Sequence, residues 1–153
     1  MSVAEVAERP AHRGRALNLW LAFLLLIGAG VALAWWGAGD AIEPREWAFD
    51  FRVGGHESNR SAPGADFAFG FDATYHDLVP DERIVYTYEM LLDGKRISVS
   101  LTSIELEPDG EGTRLRLTEH GAFFDGHEPA ANRTDGVGSL LDALGSELER
   151  GPA

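Results

Sequence analysis

Few side chains in this sequence combine a reactive type with a spacing that could support chemistry, and Glu119 is the strongest of them. Apolar and polar residues alternate from Leu115 onward, so Glu119 is predicted to lie on the same face of a strand as Leu115 and Leu117. A carboxyl group buried among apolar side chains is suited to general acid–base catalysis. His120 points to the opposite face of the same strand, so the two residues do not form a dyad. The alternative is a structural Glu119 that caps a hydrogen bond or pairs with an arginine.

Other kinds of site lack the residues that they need. The chain contains no cysteine, which excludes disulfides and thiolate chemistry. Its five histidines show no H-x-x-x-H spacing, and we predict neither a metal site nor a cofactor. The formal net charge of -12 argues against a nucleic-acid partner. Two N-x-S/T motifs, at Asn59 and Asn132, are of a kind that occurs by chance, and we expect no glycan.

Aromatic side chains alternate along two predicted strands and would converge on one side of a sheet. These strands are predicted over residues 43–53 and 66–76, with a polar loop over 56–65 between them. A ligand site on that side is one interpretation, and a core that these side chains simply fill is the other. The candidate ligand-binding residues are Trp47, Phe49, Phe69, Phe71, Tyr86, Tyr88, Leu117 and Glu119.

Residues 79–124 contain three apolar-alternating runs and predict an antiparallel meander. Asp93-Gly94 is a strong signal for a two-residue hairpin turn, because glycine tolerates the positive φ that such turns need. In the second run, Val99 and Leu101 are predicted to face inward with Ile97. The apolar set resumes only at Ile104, and this change of parity predicts a β-bulge near residues 102–103.

The C-terminal segment changes to a helical period. Apolar residues from Val137 to Leu148 recur every three or four positions and predict an amphipathic helix. Because Gly138 and Gly145 lower its intrinsic stability, this helix must gain stability by docking onto the sheet. The predicted fold is therefore α+β, with a curved antiparallel sheet of about five strands packed on a long C-terminal helix.

Residues 16–36 form an apolar segment without charge, long enough to span a bilayer. Basic residues precede it, which predicts a membrane anchor with a cytoplasmic N-terminus. Ala32-Leu33-Ala34 also resembles a signal-peptide cleavage site, and a gene-model error is a third interpretation that leaves a cytoplasmic domain. The predicted organisation is a tail over 1–15, this transmembrane-like helix over 16–36, and a domain over 37–153.

Several phrases carry a family resemblance. The run VPDERIVYTYEMLLDGKRISVSLTSIELEPDGEGTRLRLTEHGAFFDG, the later LLDALGSELER, and residues 35–55 resemble small bacterial proteins of the SRPBCC superfamily. More narrowly, they are similar to the group named after the activator of the heat-shock-protein-90 ATPase. The resemblance covers about 35–150 and implies a helix-grip fold with an apolar cavity between sheet and helix. Family members begin with a strand and a helix, and here the apolar segment takes that place, which implies a truncated domain.

The resemblance implies three functions. The first is a non-enzymatic domain that binds a small apolar ligand in the cavity. The second is a co-chaperone-like module whose acidic surface binds a protein partner. The third is an enzyme that uses Glu119 as a cavity acid or base, as some helix-grip relatives do.

Overall fold

The computed structural model describes residues 44–61, 68–110, 112–126 and 130–150. The predicted tail over 1–15 and the predicted apolar helix over 16–36 lie outside these ranges. Within the described ranges, no helix is long and apolar enough to cross a membrane.

The described chain forms a six-stranded antiparallel sheet followed by one helix. Each strand pairs with the next in chain order, so the sheet is a continuous meander. This architecture confirms the predicted α+β class with a C-terminal helix, although the sheet has six strands rather than about five. The elements are β1 (Pro44–Phe49), β2 (His56–Ser61), β3 (Phe69–Val79), β4 (Arg83–Leu92), β5 (Lys95–Asp109), β6 (Gly112–Phe123) and α1 (Ala130–Arg150).

The additional strand is β2, and the prediction of a loop over 56–65 was wrong there. The sequence of β2 is polar throughout, yet its backbone pairs with β1 on one side and β3 on the other. Its side chains also find polar partners: Glu57 is buried against the hydroxyl of Tyr75, and Arg60 forms an ion pair with Asp72. Backbone pairing on both sides therefore makes a strand where the side-chain pattern indicates a loop.

The turns follow the sequence more closely. Asp93 and Gly94 both have positive φ, of 50° and 75°, which is the geometry of a type I′ hairpin. Asp81 adopts a φ of 60° in the turn between β3 and β4. The Asp93-Gly94 hairpin therefore forms at the predicted position, and both turns fix the register of the strands that they join.

The orientation of β5 differs from the prediction. Val99 and Leu101 are 37% and 44% exposed, whereas Ser98, Ser100 and Thr102 are buried. The predicted bulge near 102–103 is also wrong, because β5 pairs with both neighbours without interruption there. The register shifts instead at Tyr75/Asp77, at Met90/Leu91 and at the start of β1. Ser98 and Ser100 face inward because they bind charged groups in the interior, as described below.

Four rows of side chains cross the inner face, defined as the face of the sheet that α1 packs against. In the two central rows, β3 and β4 contribute mainly aromatic side chains, while β5 and β6 contribute hydroxyl groups, a glycine and a carboxylate. The rows are Phe71–Met90–Ser98–Phe123, Ala73–Tyr88–Ser100–Gly121, Tyr75–Tyr86–Thr102–Glu119 and Leu78–Ile84–Ile104–Leu117.

The helix docks on the fourth of these rows. Val137 is buried in a cluster with Ile84, Ile104 and Leu117, and Leu141 packs against the same cluster. This contact confirms that the amphipathic helix lies on the inner face of the sheet. A second apolar cluster, centred on Phe71, Ala73, Tyr88, Met90 and Ile97, lies at the other end.

Candidate functional site

A buried ion pair lies between the two apolar clusters. Arg133 Nη1 of α1 lies 3.2 Å from Glu119 Oε1 of β6, and their side chains are only 2% and 4% exposed. Removing two charges from water costs several kcal/mol for each ion, and good geometry is needed to offset that cost. Such a pair in the middle of a small domain is therefore an unusual feature of its core.

Arg133 reaches three strands of the sheet. Its Nη2 donates to Ser98 Oγ at 2.8 Å, and its Nη1 donates to the hydroxyl of Tyr88 as well as to Glu119. The guanidinium also lies 5.4 Å from the ring centroids of Tyr88 and Phe123, within the range of cation–π attraction. One helical side chain thereby joins α1 to β4, β5 and β6.

Glu119 accepts several hydrogen bonds through a single oxygen. Tyr88 Oη donates to Oε1 at 2.8 Å, Ser100 Oγ donates at 2.7 Å, and Arg133 donates at 3.2 Å. None of these bonds reaches Oε2. We call Tyr88, Ser98, Ser100, Glu119 and Arg133 the polar centre. It fixes the position of the Glu119 carboxylate through one of its two oxygens.

Thr102 is the polar side chain next to this centre. It is 1% exposed, and its Oγ1 has no hydrogen-bond partner in the described part of the chain. Its cross-strand neighbours are Tyr86 on β4 and Glu119 on β6. The Thr102 hydroxyl is near enough to Tyr86 to stabilise its phenolate by hydrogen bonding, which acts to lower the pKa of Tyr86. In the protonated form shown by the structure, the Thr102 hydroxyl does not meet hydrogen-bond geometry with any described group. A buried hydroxyl without a partner costs about 1–3 kcal/mol.

The three tyrosines of the inner face are protonated at neutral pH. Burial raises the pKa of Tyr75, Tyr86 and Tyr88, and the negative charges of nearby carboxylates raise it further. For Tyr86 the net result is a raised pKa despite the opposing effects of Thr102 and Arg133. The phenols therefore act as hydrogen-bond donors.

Glu57 of β2 is a second buried carboxylate, and it lies opposite Ala73 of β3. Glu57 of β2 is 1% exposed and accepts a hydrogen bond of 2.6 Å from Tyr75 Oη. The ring of Tyr75 meets those of Phe49 and Phe51 edge to face, with centroids 6.4 and 5.1 Å apart. Tyr86 continues this aromatic series, 6.0 Å from Tyr75 and 5.9 Å from Tyr88.

The structure brings most of the predicted site residues to the inner face. Phe71, Tyr88, Leu117 and Glu119 are buried, whereas Phe49, Phe69 and Tyr86 are half-buried beside the two clusters. Tyr86 packs against both clusters and so links them. Trp47 lies in β1 opposite Asn59, and its side chain is outside the described part of the structure. The role of these residues in ligand binding stays a prediction.

Sequence reasoning missed the cationic half of the site. In the sequence, Arg133 is the middle residue of the N-x-S/T motif that begins at Asn132, yet it precedes Val137 by four residues and extends the inward stripe of the helix by one turn. A cation on that stripe needs a buried anion, and Glu119 was already predicted to face inward. The alternating hydroxyl residues Ser98, Ser100 and Thr102 were a second available signal.

No cluster of three or more histidine, aspartate or glutamate side chains suited to a metal ion occurs among the described residues. The predicted absence of a cofactor stays a prediction.

Comparisons with known proteins agree with this fold. A family model described as Activator of Hsp90 ATPase homolog 1-like protein matches residues 29–149. The crystal structure of the Mll3558 protein from Rhizobium loti has 39% identity and a TM-score of 0.74, covering 96% of this chain and 99% of that chain. A structure of an uncharacterized protein from Rhizobium leguminosarum has 32% identity and a TM-score of 0.79, covering 98% and 97%.

A more distant similarity concerns the fold alone. The solution structure of an AHSA1-like protein from Aeromonas hydrophila has 14% identity and a TM-score of 0.57, covering 94% of this chain and 92% of that chain. The comparison with curated proteins gave no match.

Proposed function

Because this chain belongs to the Activator of Hsp90 ATPase homolog 1-like family, we propose that it is a non-enzymatic domain that binds a small, largely apolar molecule between the sheet and α1. The observation that carries this proposal is the buried hydroxyl of Thr102, which has no hydrogen-bond partner in the described part of the chain. Buried polar groups are nearly always paired, so an unpaired one is an indication of a missing partner. A bound molecule would provide that partner.

The surroundings of Thr102 suit such a molecule. Its neighbour Tyr86 is half-buried, while Tyr75 and Tyr88 on either side of it are buried. Tyr86 therefore keeps some solvent-exposed surface, beside aromatic rings that can stack on an apolar body. Apolar walls with a few convergent polar groups are typical of small-molecule sites.

The co-chaperone and acid–base alternatives stay predictions. No contact among the described residues favours a protein partner, and the three bonds at Glu119 Oε1 are explained by a structural role.

Binding of N-phenyl-1-naphthylamine, a neutral apolar fluorophore, to the full chain tests the proposal. We expect saturable binding, and we expect Thr102→Val to weaken it about five- to tenfold. The variant loses the hydrogen bond between the Thr102 hydroxyl and the fluorophore but keeps the shape of the side chain. Thr118→Val is the matched control, since Thr118 lies on the opposite face of β6 and should leave affinity unchanged. Fluorescence that fails to saturate, or that both variants alter equally, would contradict the proposal.

A further inference from the structure

We infer that this site selects ligands that carry a neutral hydroxyl group over ligands of the same shape that carry a carboxylate. The inference rests on the proposed function and specifies the chemical class of its ligand. Two features of the inner face support it. The first is that Arg133 already binds other groups of the protein, and the second is that Thr102 and Glu119, which offer a hydroxyl group and an acceptor oxygen, are cross-strand neighbours.

The first feature is the charge balance of the polar centre. Arg133 is the only buried cation among the described residues, and it is already paired with Glu119 at 3.2 Å. Its remaining contacts include Ser98, Tyr88 and the ring of Phe123. A ligand carboxylate placed next to Thr102 would lie near the negative charge of Glu119 and lose its hydration. Repulsion and desolvation therefore both act against an anionic ligand.

The second feature is the pair of groups left for a ligand. Thr102 and Glu119 are direct cross-strand neighbours, which places their Cβ atoms about 5 Å apart. Glu119 Oε2 receives none of the hydrogen bonds that Oε1 accepts. A ligand hydroxyl beside them would donate to Oε2 and accept from the Thr102 hydroxyl. A carboxylate has no proton to donate and meets an acceptor instead.

The aromatic half of the inner face sets the orientation of the ligand. The rings of Tyr75, Tyr86 and Tyr88 follow one another at about 6 Å on β3 and β4, on the side of Thr102 away from Glu119. An apolar body would contact these rings while its hydroxyl group lies towards β5 and β6. The ligand class is therefore an apolar alcohol with its hydroxyl group at one end.

The test compares 2-naphthalenemethanol with 2-naphthoate, which share a ring system but differ in charge at pH 7. Each displaces N-phenyl-1-naphthylamine from the full chain in a competition titration. We expect the alcohol to bind at least tenfold more tightly than the carboxylate. Equal affinities, or a tighter carboxylate, would overturn the inference and leave the proposed function intact. If the fluorophore itself does not bind saturably, the proposed function fails instead.

Glu119→Gln gives a second readout. The amide keeps the size of the side chain and an oxygen that accepts hydrogen bonds, but the charge of Arg133 is then uncompensated. We expect the preference for the alcohol to fall at least tenfold or to invert in favour of 2-naphthoate. An unchanged preference in a folded variant would contradict the inference.

Thr102→Val serves where Glu119→Gln does not fold. This variant should weaken the alcohol about five- to tenfold, because the alcohol accepts a hydrogen bond from Thr102, and should weaken 2-naphthoate less, because Glu119 repels the carboxylate from that position. Thr118→Val should alter the affinity for neither ligand. Equal weakening of both ligands by Thr102→Val would overturn the inference, because the hydroxyl would then not distinguish the two.

Discussion

Arg133 on α1 and Glu119 on β6 form an ion pair of 3.2 Å from which solvent is almost excluded. The pair holds the first part of the helix against the strand that precedes it in sequence, while Tyr88, Ser98 and Ser100 complete its hydrogen bonds. The same carboxylate is therefore a support for the helix and a wall of the proposed ligand site. The predictions below separate these roles.

Replacing Arg133 should strongly destabilise the fold. Arg133→Met leaves Glu119 buried without its cation, and removal of one partner of a buried pair costs about 3–5 kcal/mol. Urea denaturation followed by circular dichroism measures this loss. Arg114→Met is the control, because Arg114 pairs with Asp109 at 3.1 Å on the surface, with 44% of each side chain exposed. Such an exposed pair contributes below about 1 kcal/mol.

The double variant Arg133→Met with Glu119→Leu extends this test. Replacing both charges by apolar groups removes the uncompensated carboxylate and should recover most of the lost stability. Equal losses for Arg133→Met and Arg114→Met, or no recovery in the double variant, would show that the pair does not act as described.

Removing the hydroxyl of Thr102 should stabilise the ligand-free protein. Thr102→Val eliminates a buried group without a described partner and keeps the shape of the side chain, so we expect a gain of about 1 kcal/mol. Thermal unfolding of the two proteins measures it, with Thr118→Val as the control of near-zero effect. A loss of stability of similar size would mean that the hydroxyl has a partner in the folded protein.

Gly121 should not accept a side chain. A Cβ atom there would lie 2.9 Å from Cε2 of the Phe123 ring and 3.1 Å from Ser100 Oγ. The ring must then move, although it also contacts the guanidinium of Arg133. We expect Gly121→Ala to cost about 1–3 kcal/mol, as overpacking in a core does.

Gly138→Ala is the matched control for Gly121→Ala. A Cβ atom at Gly138 meets nothing within 4 Å, and alanine favours the interior of a helix. This variant should gain up to about 1 kcal/mol in the same urea titration. If both variants change the free energy of unfolding in the same direction, the packing described around Phe123 is contradicted.

Alkaline pH should unfold the protein through its tyrosines. All three tyrosines of the chain, Tyr75, Tyr86 and Tyr88, lie on the inner face, and burial raises the pKa of each. In the unfolded chain the pKa of a tyrosine is about 10. Above pH 10 the folded protein keeps phenol protons that the unfolded chain loses. The contribution of these tyrosines to the free energy of unfolding is therefore complete below pH 10 and declines above it. Each tyrosine contributes about 1.4 kcal/mol per pH unit in that window.

The measurement is urea denaturation between pH 8 and pH 12, with tyrosinate absorbance recorded in parallel. Tyrosinate should appear together with unfolding, and Tyr86→Phe should reduce the pH dependence of the free energy of unfolding by about a third. Tyrosine ionisation near pH 10 in a protein that is still folded would contradict the burial of these phenols.

Local signals in the sequence were sufficient for the turns and for the helix. Asp93-Gly94 specifies its hairpin through positive φ, and the period of the apolar residues after Val137 specifies the face that docks. The position of Glu119 also follows from simple alternation with Leu117, since β6 runs without a register shift. These features depend on interactions between residues that are close in sequence.

The errors arise where partners distant in sequence decide the outcome. β2 is a strand because β1 and β3 pair with it, although no residue of its own indicates this. Ser98 faces inward because it binds Arg133, which lies 35 positions later in the sequence. Ser100 faces inward because it binds Glu119, the partner of Arg133. The rule that apolar residues face inward therefore placed Val99 and Leu101 on the wrong side.

The register shift between Tyr75 and Asp77 has a consequence for sequence length. Tyr75 and Leu78 both reach the inner face, although three positions separate them and side chains in a regular strand alternate every residue. His76 is the extra residue of this bulge, because Tyr75, Asp77 and Leu78 pair with the consecutive residues Tyr86, Val85 and Ile84. Deleting His76 should therefore leave a regular strand in which Leu78 still belongs to the row that holds Val137, whereas deleting a residue between Phe71 and Tyr75 would turn part of β3 to the opposite face. The tolerance of β3 to a change in length is therefore greatest at the bulge.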